Sequence, residues 1–481
     1  MNTQKRSSWS SQFAFVIAAA ASAIGLGNLW RFPYLAAQYG GGTFILVYLI
    51  LVVTLGFTLM VTEIAIGRAT QQSQLTAYGR LNPKFGPLGL MATIVPMFIV
   101  PYYCVIGGWV LKYFITYVHL ILHPSSTVLA NPGEFFNSFI GAPFAPFGYG
   151  MIFIIITALV IALGVKHGIE KSNLVLMPLL FIMAIGISIY VCCLPGSTEG
   201  LKYYLIPNMD CISNINPETG AKSFSFALLG KTILGAMGQM FYSLSLAMGI
   251  MITYGSYMRK EDSIEKSVRR IEFFDTLIAV LAGLMIIPVV FMFATKTGVD
   301  VKEAMNAGPG LMFITLPKVF GDIGVAGAWM GAAFFLLVIF AALTSAISLY
   351  EACVASVCDL LNMKRKNANF FIFFMVSFFA AFSALGYGAW SEVKLFGMQF
   401  LDFFDFITNS VLMPIVAAIT CILVGWVVKP KFIDDEVTQC GQRFAAKKLY
   451  NALVRYIAPI FIIAILVSEI CRALGIGGWK I

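Results

Sequence analysis

Residues 25–33 read GLGNLWRFP, and they interrupt the first hydrophobic stretch of this 481-residue chain. Two glycines two positions apart allow backbone conformations that a side chain would block, and they leave amide and carbonyl groups without helical partners. Irregular backbone at membrane depth is stable only where protein or a wet cavity satisfies those groups. If the surrounding stretch crosses a bilayer, the interruption therefore predicts a cavity inside the membrane, at the level of residues 25–33.

The composition is that of a membrane protein. Hydrophobic residues make up 59% of the chain, charged residues 11%, and the mean hydropathy is +0.86, which does not fit a soluble surface. Stretches long enough to cross a hydrocarbon core of about 30 Å recur throughout. We predict eleven transmembrane segments, at residues 13–37, 42–67, 88–122, 148–165, 172–194, 226–257, 271–294, 324–360, 370–390, 396–428 and 450–474.

The charge pattern predicts an orientation in the membrane. A net charge of +9 could indicate nucleic-acid binding, but the basic residues fall in alternate loops, as they do when they orient helices in a bilayer. We therefore predict a cell (inner) membrane protein surrounded by lipid, with a cytoplasmic N-terminus and an extracytoplasmic C-terminus. We predict no nucleic-acid partner, and no obligatory protein partner is evident.

Segment 6 contains a second interruption, reading SLSLAMG at residues 243–249. Segments 1 and 6 each open a block of five segments, which predicts two inverted repeats at about 10–194 and 226–428. The helix at about 450–474 is then an addition, within a single transmembrane domain spanning 1–481. Both interruptions should line one cavity near the midplane.

Several residues in these segments indicate binding chemistry. The amides of Leu26 and Gly27 could hold a carboxylate at a half-helix end with a positive dipole. Arg31 is costly inside a hydrophobic segment unless it is paired or faces water. Asp402 and Asp405 lie three residues apart, on one helical face, and are candidate partners for it. The alternative is that both simply face external water.

Other polar residues leave two interpretations open. Asp275 is a lone carboxylate inside segment 7, and such residues are usually functional. The Ala341 carbonyl and the hydroxyls of Thr344 and Ser345 would suit sodium, although such hydroxyls also bond within their own helix. One hydroxyl of the pair Tyr102 and Tyr103 could reach a substrate carboxylate, or both rings could serve packing alone.

Cysteine and histidine spacing predicts no metal centre. The nine cysteines show no ligand spacing, and most lie in apolar segments. Three of them lie close enough to an external loop for one disulfide whose pairing the sequence does not choose: Cys192, Cys193 and Cys211. The histidines lie at predicted membrane edges, and we predict neither a cluster nor chemistry for His119, His123 and His167.

Five motifs together resemble the neurotransmitter:sodium symporters: GLGNLWRFP at 25–33, GGG at 40–42, YY at 102–103, SLSL at 243–246 and ALTS at 342–345. The resemblance covers nearly the whole chain and is to bacterial members. It implies an all-α polytopic membrane protein with the LeuT fold. It also implies import of a neutral L-amino acid with sodium by alternating access.

The resemblance implies residues for two sodium sites and one substrate site. The first sodium site would comprise the substrate carboxylate with Ala23, Asn28, Ser243 and Asp275. The second would comprise Ala21, Ile24, Ala341, Thr344 and Ser345. The substrate carboxylate would meet Leu26, Gly27 and Tyr103, and its amine would meet Ala23, Tyr242, Ser243 and Ser245. Its side chain would lie among Ile99, Ile106, Tyr242, Met248 and Leu349.

The resemblance also implies two gates. The inner gate would pair Arg6 with Asp359, helped by Trp9, Ser256 and Tyr257. The outer gate would comprise Tyr103, Tyr242, Arg31, Asp405 and its neighbour Asp402.

Departures from the family pattern refine these expectations. Asp275 stands where many relatives have asparagine, as in chloride-independent bacterial members, so we predict transport without chloride. Gly25 stands where monoamine carriers have an aspartate, so the substrate should bring its own carboxylate. Met248 and the apolar lining favour a hydrophobic or aromatic side chain. Ala247 replaces a glycine that is common in the second interruption.

Three other classes of membrane protein fit the sequence less well than a transporter. A sensor with this fold would need a cytoplasmic domain to relay a signal, and the sequence shows none. A channel fits poorly with a central cavity that has gates at both ends. A membrane enzyme would need a catalytic motif, and no His-Glu-x-x-His or Gly-x-Ser-x-Gly stretch occurs.

Overall fold

The computed structural model describes residues 7–215, 222–305 and 309–473. This part of the chain is helical apart from its loops and one hairpin, in which strands Ser213–Ile215 and Lys222–Phe224 pair antiparallel. Within it, nine helices are long and apolar enough to cross a bilayer, and one bent helix pair adds a tenth span. The predicted all-α polytopic architecture is confirmed.

The spans follow the predicted segments closely. Segment 1 consists of Gln12–Ala23 and Gly27–Gln38, which meet at an angle of 54°. Segments 2 to 5 are Gly42–Thr70, Pro83–Leu122, Ala145–Ala162 and Val165–Cys192. Segments 7 to 11 are Ile264–Thr297, Val325–Leu361, Arg365–Leu385, Phe400–Val427 and Lys447–Cys471.

Segment 6, predicted at 226–257 with an interruption, is two separate helices. It comprises the helices Phe226–Ser243 and Ile250–Gly255, joined by an irregular stretch. Lys231 and Gln239 lower the hydropathy of the longer helix, and the shorter one has only six residues. Among the helices described, neither qualifies as a span by length and composition.

The irregular stretch of segment 6 has a left-handed backbone at three positions. The φ angles of Ser245, Ala247 and Gly249 are 53°, 59° and 73°. Such angles are incompatible with a right-handed helix. The interruption predicted from SLSLAMG is therefore real.

Shorter helices lie in the connections between spans, including the two predicted external loops at 195–225 and 295–323. They are Gln74–Leu81, Pro132–Ile140, Ser197–Leu205, Val301–Ala304, Leu316–Ile323 and Lys431–Val437. All nine cysteines are free thiols, so this part of the chain forms no disulfide.

The spans form a central group surrounded by a lipid-facing group. In segments 3 and 8, 72% of the apolar 18-residue stretch is buried inside the protein. The buried share is 28% in segment 11 and 33% in segments 5 and 9. Segment 1 packs against segments 7 and 8, and segment 3 against segment 8. The broken segment 1 therefore lies inside the bundle, where neighbouring helices can satisfy its backbone.

At one end of the bundle, the connection between segments 10 and 11 is fixed by a buried arginine. Arg68 Nε donates to Glu436 Oε1 at 2.6 Å, and Arg68 Nη1 donates to the Asp262 carbonyl at 2.7 Å. Arg68 also donates to the Glu436 carbonyl. Segments 2 and 7 and the helix Lys431–Val437 are thus joined through one side chain.

Candidate functional site

A small cavity lies between the two interruptions. Its walls come from segments 1, 3, 6 and 8. Most of the predicted substrate residues line it: Ala23, Leu26, Gly27, Ile99, Tyr103, Tyr242, Ser243, Ser245, Met248 and Leu349. Ser22 and Gly25 of the first interruption also line it, as does Ile250, which sequence reasoning missed.

The glycines of segment 1 allow close approach of its neighbours. A methyl group at Gly25 would lie 2.7 Å from Ser345 Oγ and 2.8 Å from the Tyr103 hydroxyl. A methyl group at Gly27 would lie 2.4 Å from Tyr242 Cδ1. Real Cβ atoms do not approach other atoms so closely, so a side chain at either position would displace part of the cavity wall.

One end of the cavity is suited to a carboxylate. The Leu26 amide donates to the Tyr103 hydroxyl at 3.2 Å. Gly27 begins a helical turn, Gly27–Arg31, so its amide has no acceptor one turn earlier in the helix. Amides at the start of a helix attract anions through hydrogen bonding and the helix dipole.

Asp275 lies at the centre of a buried polar cluster beside the cavity and has 0% exposure. Asn28 Nδ2 donates to Asp275 Oδ1 at 2.7 Å, and Ser243 Oγ lies 2.9 Å from both carboxylate oxygens. The Tyr48 hydroxyl donates to Asp275 Oδ2 at 3.3 Å. The Gly25 amide donates to Asn28 Oδ1 at 3.0 Å, which ties the cluster to the first interruption.

A second group of oxygen atoms lies between segments 1 and 8. Ser345 Oγ lies 3.0 Å from the Ser22 carbonyl oxygen and 3.1 Å from the Ile24 carbonyl oxygen, and the two oxygens share its one proton. Thr344 Oγ1 donates to the Ala341 carbonyl at 3.0 Å. Ala21 is fully buried in Gln12–Ala23, the first helix of segment 1.

Both groups offer oxygen ligands, which suit hard cations. No group of three or more His, Cys, Asp or Glu side chains that could hold a metal ion occurs in the described part of the chain.

Two predicted substrate contacts differ in the structure. Ile106 lines a second, wider cavity instead of the first one, because it lies seven residues, or about 10 Å, farther along the helix than Ile99. The Ser245 hydroxyl faces the first cavity but donates to the Ser22 carbonyl at 3.2 Å.

The wider cavity, which we call the vestibule, lies beyond Tyr242 and has an empty volume of about 1650 Å³. Arg31, Asp402 and Asp405 line it, and both aspartates are exposed. Tyr242 lines both the vestibule and the smaller cavity. Tyr242 therefore lies at the boundary between the two volumes.

The predicted pairing of Arg31 with a carboxylate is not formed. No ion pair within 4.0 Å joins Arg31 to Asp405 in the part of the chain described. The Arg31 guanidinium lies 5.7 Å from the centre of the Tyr242 ring. Asp405 accepts hydrogen bonds from Tyr102 at 2.9 Å and from Asn409 at 2.6 Å.

Asp402 is held separately from Asp405. It accepts a hydrogen bond from the Tyr387 hydroxyl at 2.9 Å. With Arg31 and Asp405 apart and the aspartates exposed, the vestibule is open to solvent.

The opposite end of the bundle is closed. Trp9 has 1% exposure, and its Nε1 donates to the Tyr254 carbonyl at 3.0 Å. The Trp9 amide donates to the Tyr257 carbonyl at 3.1 Å, and the Tyr257 hydroxyl donates to Glu351 at 2.7 Å. Arg365 pairs with the fully buried Glu351.

The remaining inner-gate residues are partly described. Ser256 is fully buried and donates to the Thr253 carbonyl at 2.5 Å. Asp359 accepts from the Ser73 amide at 2.6 Å. Arg6, its predicted partner, lies outside the described residues.

Comparison with known proteins identifies the family. A family model described as the sodium:neurotransmitter symporter family matches residues 6–126 and 149–477. The chain belongs to this family. It is thus a sodium-dependent symporter and a multi-pass membrane transporter, and its homologues are transporters, not enzymes.

Relatives of the symporter match over nearly its full length. An uncharacterized sodium-dependent transporter of Bacillus subtilis, YhdH, is 34% identical over 478 residues, covering 98% of this chain and 99% of the relative. A counterpart from Haemophilus influenzae is 32% identical over 480 residues, covering 98% and 99%. The crystal structure of MhsT in complex with L-phenylalanine matches with a TM-score of 0.82 and 34% identity, covering 96% of this chain and all of that one. The expected LeuT fold is confirmed.

Two buried carboxylates of the symporter escaped sequence reasoning. Glu63 of segment 2 accepts from the Ala247 amide at 2.7 Å and so supports the second interruption. Glu351 of segment 8 connects Tyr257 with Arg365. Both are ionisable residues inside a predicted span, and that signal could have found them.

Proposed function

We propose that the symporter imports a neutral, hydrophobic or aromatic L-amino acid together with sodium, by alternating access and without chloride. The observation that carries this proposal is the cavity between the interruptions, which is polar at one end and apolar at the other. Leu26, Gly27 and Tyr103 form the polar end. Ile99, Met248 and Leu349 form the apolar wall.

The polar end supports a substrate that carries its own carboxylate. Gly25 contributes no charge to the cavity, so an amine without a carboxylate would lack a partner there. The substrate amine would meet the carbonyls of Ala23 and Tyr242. MhsT, whose structure was solved with L-phenylalanine, supports an aromatic side chain by its similarity to this chain.

We place one sodium ion in each group of oxygen atoms. The first would use Ala23, Asn28, Ser243 and Asp275 with the substrate carboxylate, so ion and substrate share a ligand and bind together. The second would use Ala21, Ile24, Ala341, Thr344 and Ser345, and would join segments 1 and 8.

Asp275 supports chloride independence. A fixed negative charge beside a cation in a low-dielectric cavity compensates the charge of the cation, as a bound anion would. The carboxylate of Asp275 is buried and oriented by Asn28, Ser243 and Tyr48. No exchangeable anion is then needed.

The two ends of the bundle would alternate as gates. We assign the vestibule to the extracytoplasmic side, with the N-terminus cytoplasmic and the C-terminus extracytoplasmic in the inner membrane. The outer gate would close when Arg31 and Asp405 meet above Tyr242. The inner gate would open when the contacts of Trp9 and Tyr257 break. In this proposal, repeats 10–194 and 226–428 move against each other.

Sodium-driven uptake into proteoliposomes tests the proposal. Each amino acid would be offered under an inward sodium gradient, with potassium in place of sodium as control. We expect accumulation of hydrophobic and aromatic L-amino acids only with sodium. Accumulation of none of them would favour a binding sensor, and accumulation of acidic amino acids alone would contradict the assigned substrate class.

Replacing chloride by gluconate on both sides tests the anion separately. We expect an unchanged initial rate of sodium-driven uptake. A clear fall would contradict the role given to Asp275 and would leave the amino-acid assignment standing.

A further inference from the structure

Two histidines at the C-terminal end of segment 3 lie side by side, contrary to the prediction that the histidines form no cluster. His119 is in the last turn of the helix, and His123 directly follows its last residue, Leu122. The centres of the two rings are 4.6 Å apart, and the ring planes are inclined by 49°. Both side chains are exposed.

We propose that His119 and His123 bind a divalent late first-row transition-metal ion of the Ni²⁺, Cu²⁺ or Zn²⁺ class. Neutral imidazole is a preferred ligand of these ions. With metal–nitrogen bonds of about 2 Å, two imidazoles on one ion hold their ring centres about 4–5 Å apart. The observed separation falls in this range, so binding requires little movement of the backbone.

The end of the helix favours a cation at this place. The last carbonyls of a helix carry partial negative charge. The His123 amide donates to the His119 carbonyl at 2.8 Å, which holds the backbone between the two rings in helical geometry. The two ligands are therefore presented together by one rigid element.

Protons would compete with the metal ion for the two imidazole rings. Two imidazolium ions at this distance repel each other, whereas one shared metal ion attracts both neutral rings. The described residues contain no group of three or more His, Cys, Asp or Glu side chains around a common point. Water would thus complete the coordination, and the ion would exchange with solvent.

The histidine pair is remote from the transport site. His119 lies 13 residues beyond Ile106, or about 20 Å farther along the same helix. His119 lies in the last turn of segment 3 and His123 caps the same helix end, so the ion would not cross-link two spans. Occupancy of the pair should therefore be independent of sodium and substrate.

Nickel titration of the purified full-length protein tests the proposal. The protein would carry no histidine tag, and the exposed Cys193 and Cys440 would be serine, which removes competing thiols. We expect one Ni²⁺ site by isothermal titration calorimetry. His119→Ala and His123→Ala should each weaken it at least about tenfold, as loss of a ligand should cost no less than loss of an outer-shell partner.

His167→Ala is the matched control, because it removes the only other histidine of the chain. It should bind Ni²⁺ like the parent protein, and all three variants should keep sodium-driven uptake, which verifies their folding. Failure of the parent protein to bind Ni²⁺, or an affinity in either His119→Ala or His123→Ala equal to that of the parent protein, would overturn the proposal.

Discussion

Gly27 and Tyr242 define the cavity at the scale of single atoms. The Tyr242 ring occupies the space that a Cβ atom at position 27 would need. The ring can lie across the cavity because segment 1 presents only a hydrogen atom there. The backbone amide beside it stays accessible for the same reason.

Gly27→Ala should abolish uptake while leaving a folded protein. The added methyl group would lie 2.4 Å from Tyr242 Cδ1, so the ring must move into the cavity or toward the vestibule. We expect initial uptake to fall at least about tenfold, equivalent to about 1.4 kcal/mol of lost interaction. Radiolabelled uptake measures this.

Gly186→Ala is the control for that substitution. Gly186 lies in the helix of segment 5, and a Cβ atom there would have open space around it. Its uptake should match the parent protein. Normal uptake by Gly27→Ala would show that the close approach of Tyr242 is unimportant.

Asp275→Asn should weaken sodium coupling or make it depend on chloride. The substitution keeps the shape of the side chain but removes the charge that we assign to the first sodium site. A unit charge about 4 Å from a cation is worth about 4 kcal/mol at an effective dielectric constant of 20. We therefore expect the sodium concentration for half-maximal uptake to rise at least about tenfold in chloride-free buffer.

Chloride titration distinguishes the two outcomes for Asp275→Asn. Recovery of sodium affinity by added chloride would show that an anion can replace the carboxylate. Unchanged sodium dependence without chloride would contradict the assigned role. Asp322→Asn, which alters an exposed ion pair with Lys296, serves as the charge control.

Among the elements, segment 1 is held by hydroxyl groups from two other spans. Ser345 of segment 8 and Ser245 of segment 6 both donate to the Ser22 carbonyl. Asn28 reaches Ser243 and Asp275 from the other side of the interruption. A movement of segment 6, 7 or 8 would therefore displace the broken helix through these hydrogen bonds.

Arg68→Met should destabilise the closed end of the bundle. The side chain of Arg68 has 0% exposure and that of Glu436 has 6%, so the change leaves a buried carboxylate without its partner. Breaking such a pair costs about 3–5 kcal/mol. We expect a lower thermal transition of the purified protein in detergent.

Lys202→Gln provides the comparison for Arg68→Met. Lys202 pairs with Glu199, and both side chains are exposed, so the pair contributes about 0–1 kcal/mol. Its thermal transition should stay close to that of the parent protein. Equal transition temperatures for the two variants would mean that Arg68 does not stabilise this end of the bundle.

For the whole molecule, the structure combines an open vestibule with a closed opposite end. Asp402 and Asp405 are exposed, whereas Trp9 and Ser256 are buried. Alternating access requires that these exposures reverse. The two ends should therefore differ in their reactivity toward reagents that stay in water.

Single cysteines introduced at the two ends should react with a thiol reagent under opposite ionic conditions, one in sodium and the other in potassium. Phe406→Cys in the vestibule should be labelled by a membrane-impermeant thiol reagent when sodium is present. Ser256→Cys should be labelled only when sodium is replaced by potassium. Cys193 and Cys440 would first be replaced by serine, and labelling of both sites in both conditions would contradict alternating access.

The interruptions could be predicted because their cause is local. Glycines, polar residues and an arginine within apolar stretches are visible in the sequence, and the bend at Ala23–Gly27 and the left-handed backbone at Ser245 and Ala247 follow them. The LeuT fold and most of the cavity residues could be expected from the motifs that contain these interruptions.

Where the structure departs from the sequence prediction, the cause lies outside the local sequence. Ile99 and Ile106 lie on one helical face, so spacing alone cannot tell which of two cavities along that helix each one lines. The distance between Arg31 and Asp405 depends on the conformation of the whole bundle. Glu63 supports Ala247 from a span far away in sequence, and no local pattern links them.

In the proposed mechanism, Tyr242 would also control the route into the binding site. Because the same ring lines the vestibule and the inner cavity, an arriving amino acid would displace it before meeting the amides of segment 1. Discrimination among amino acids would then begin as a difference in entry rate, set by what passes one aromatic side chain. A bulky analogue would be rejected here even if the cavity could hold it.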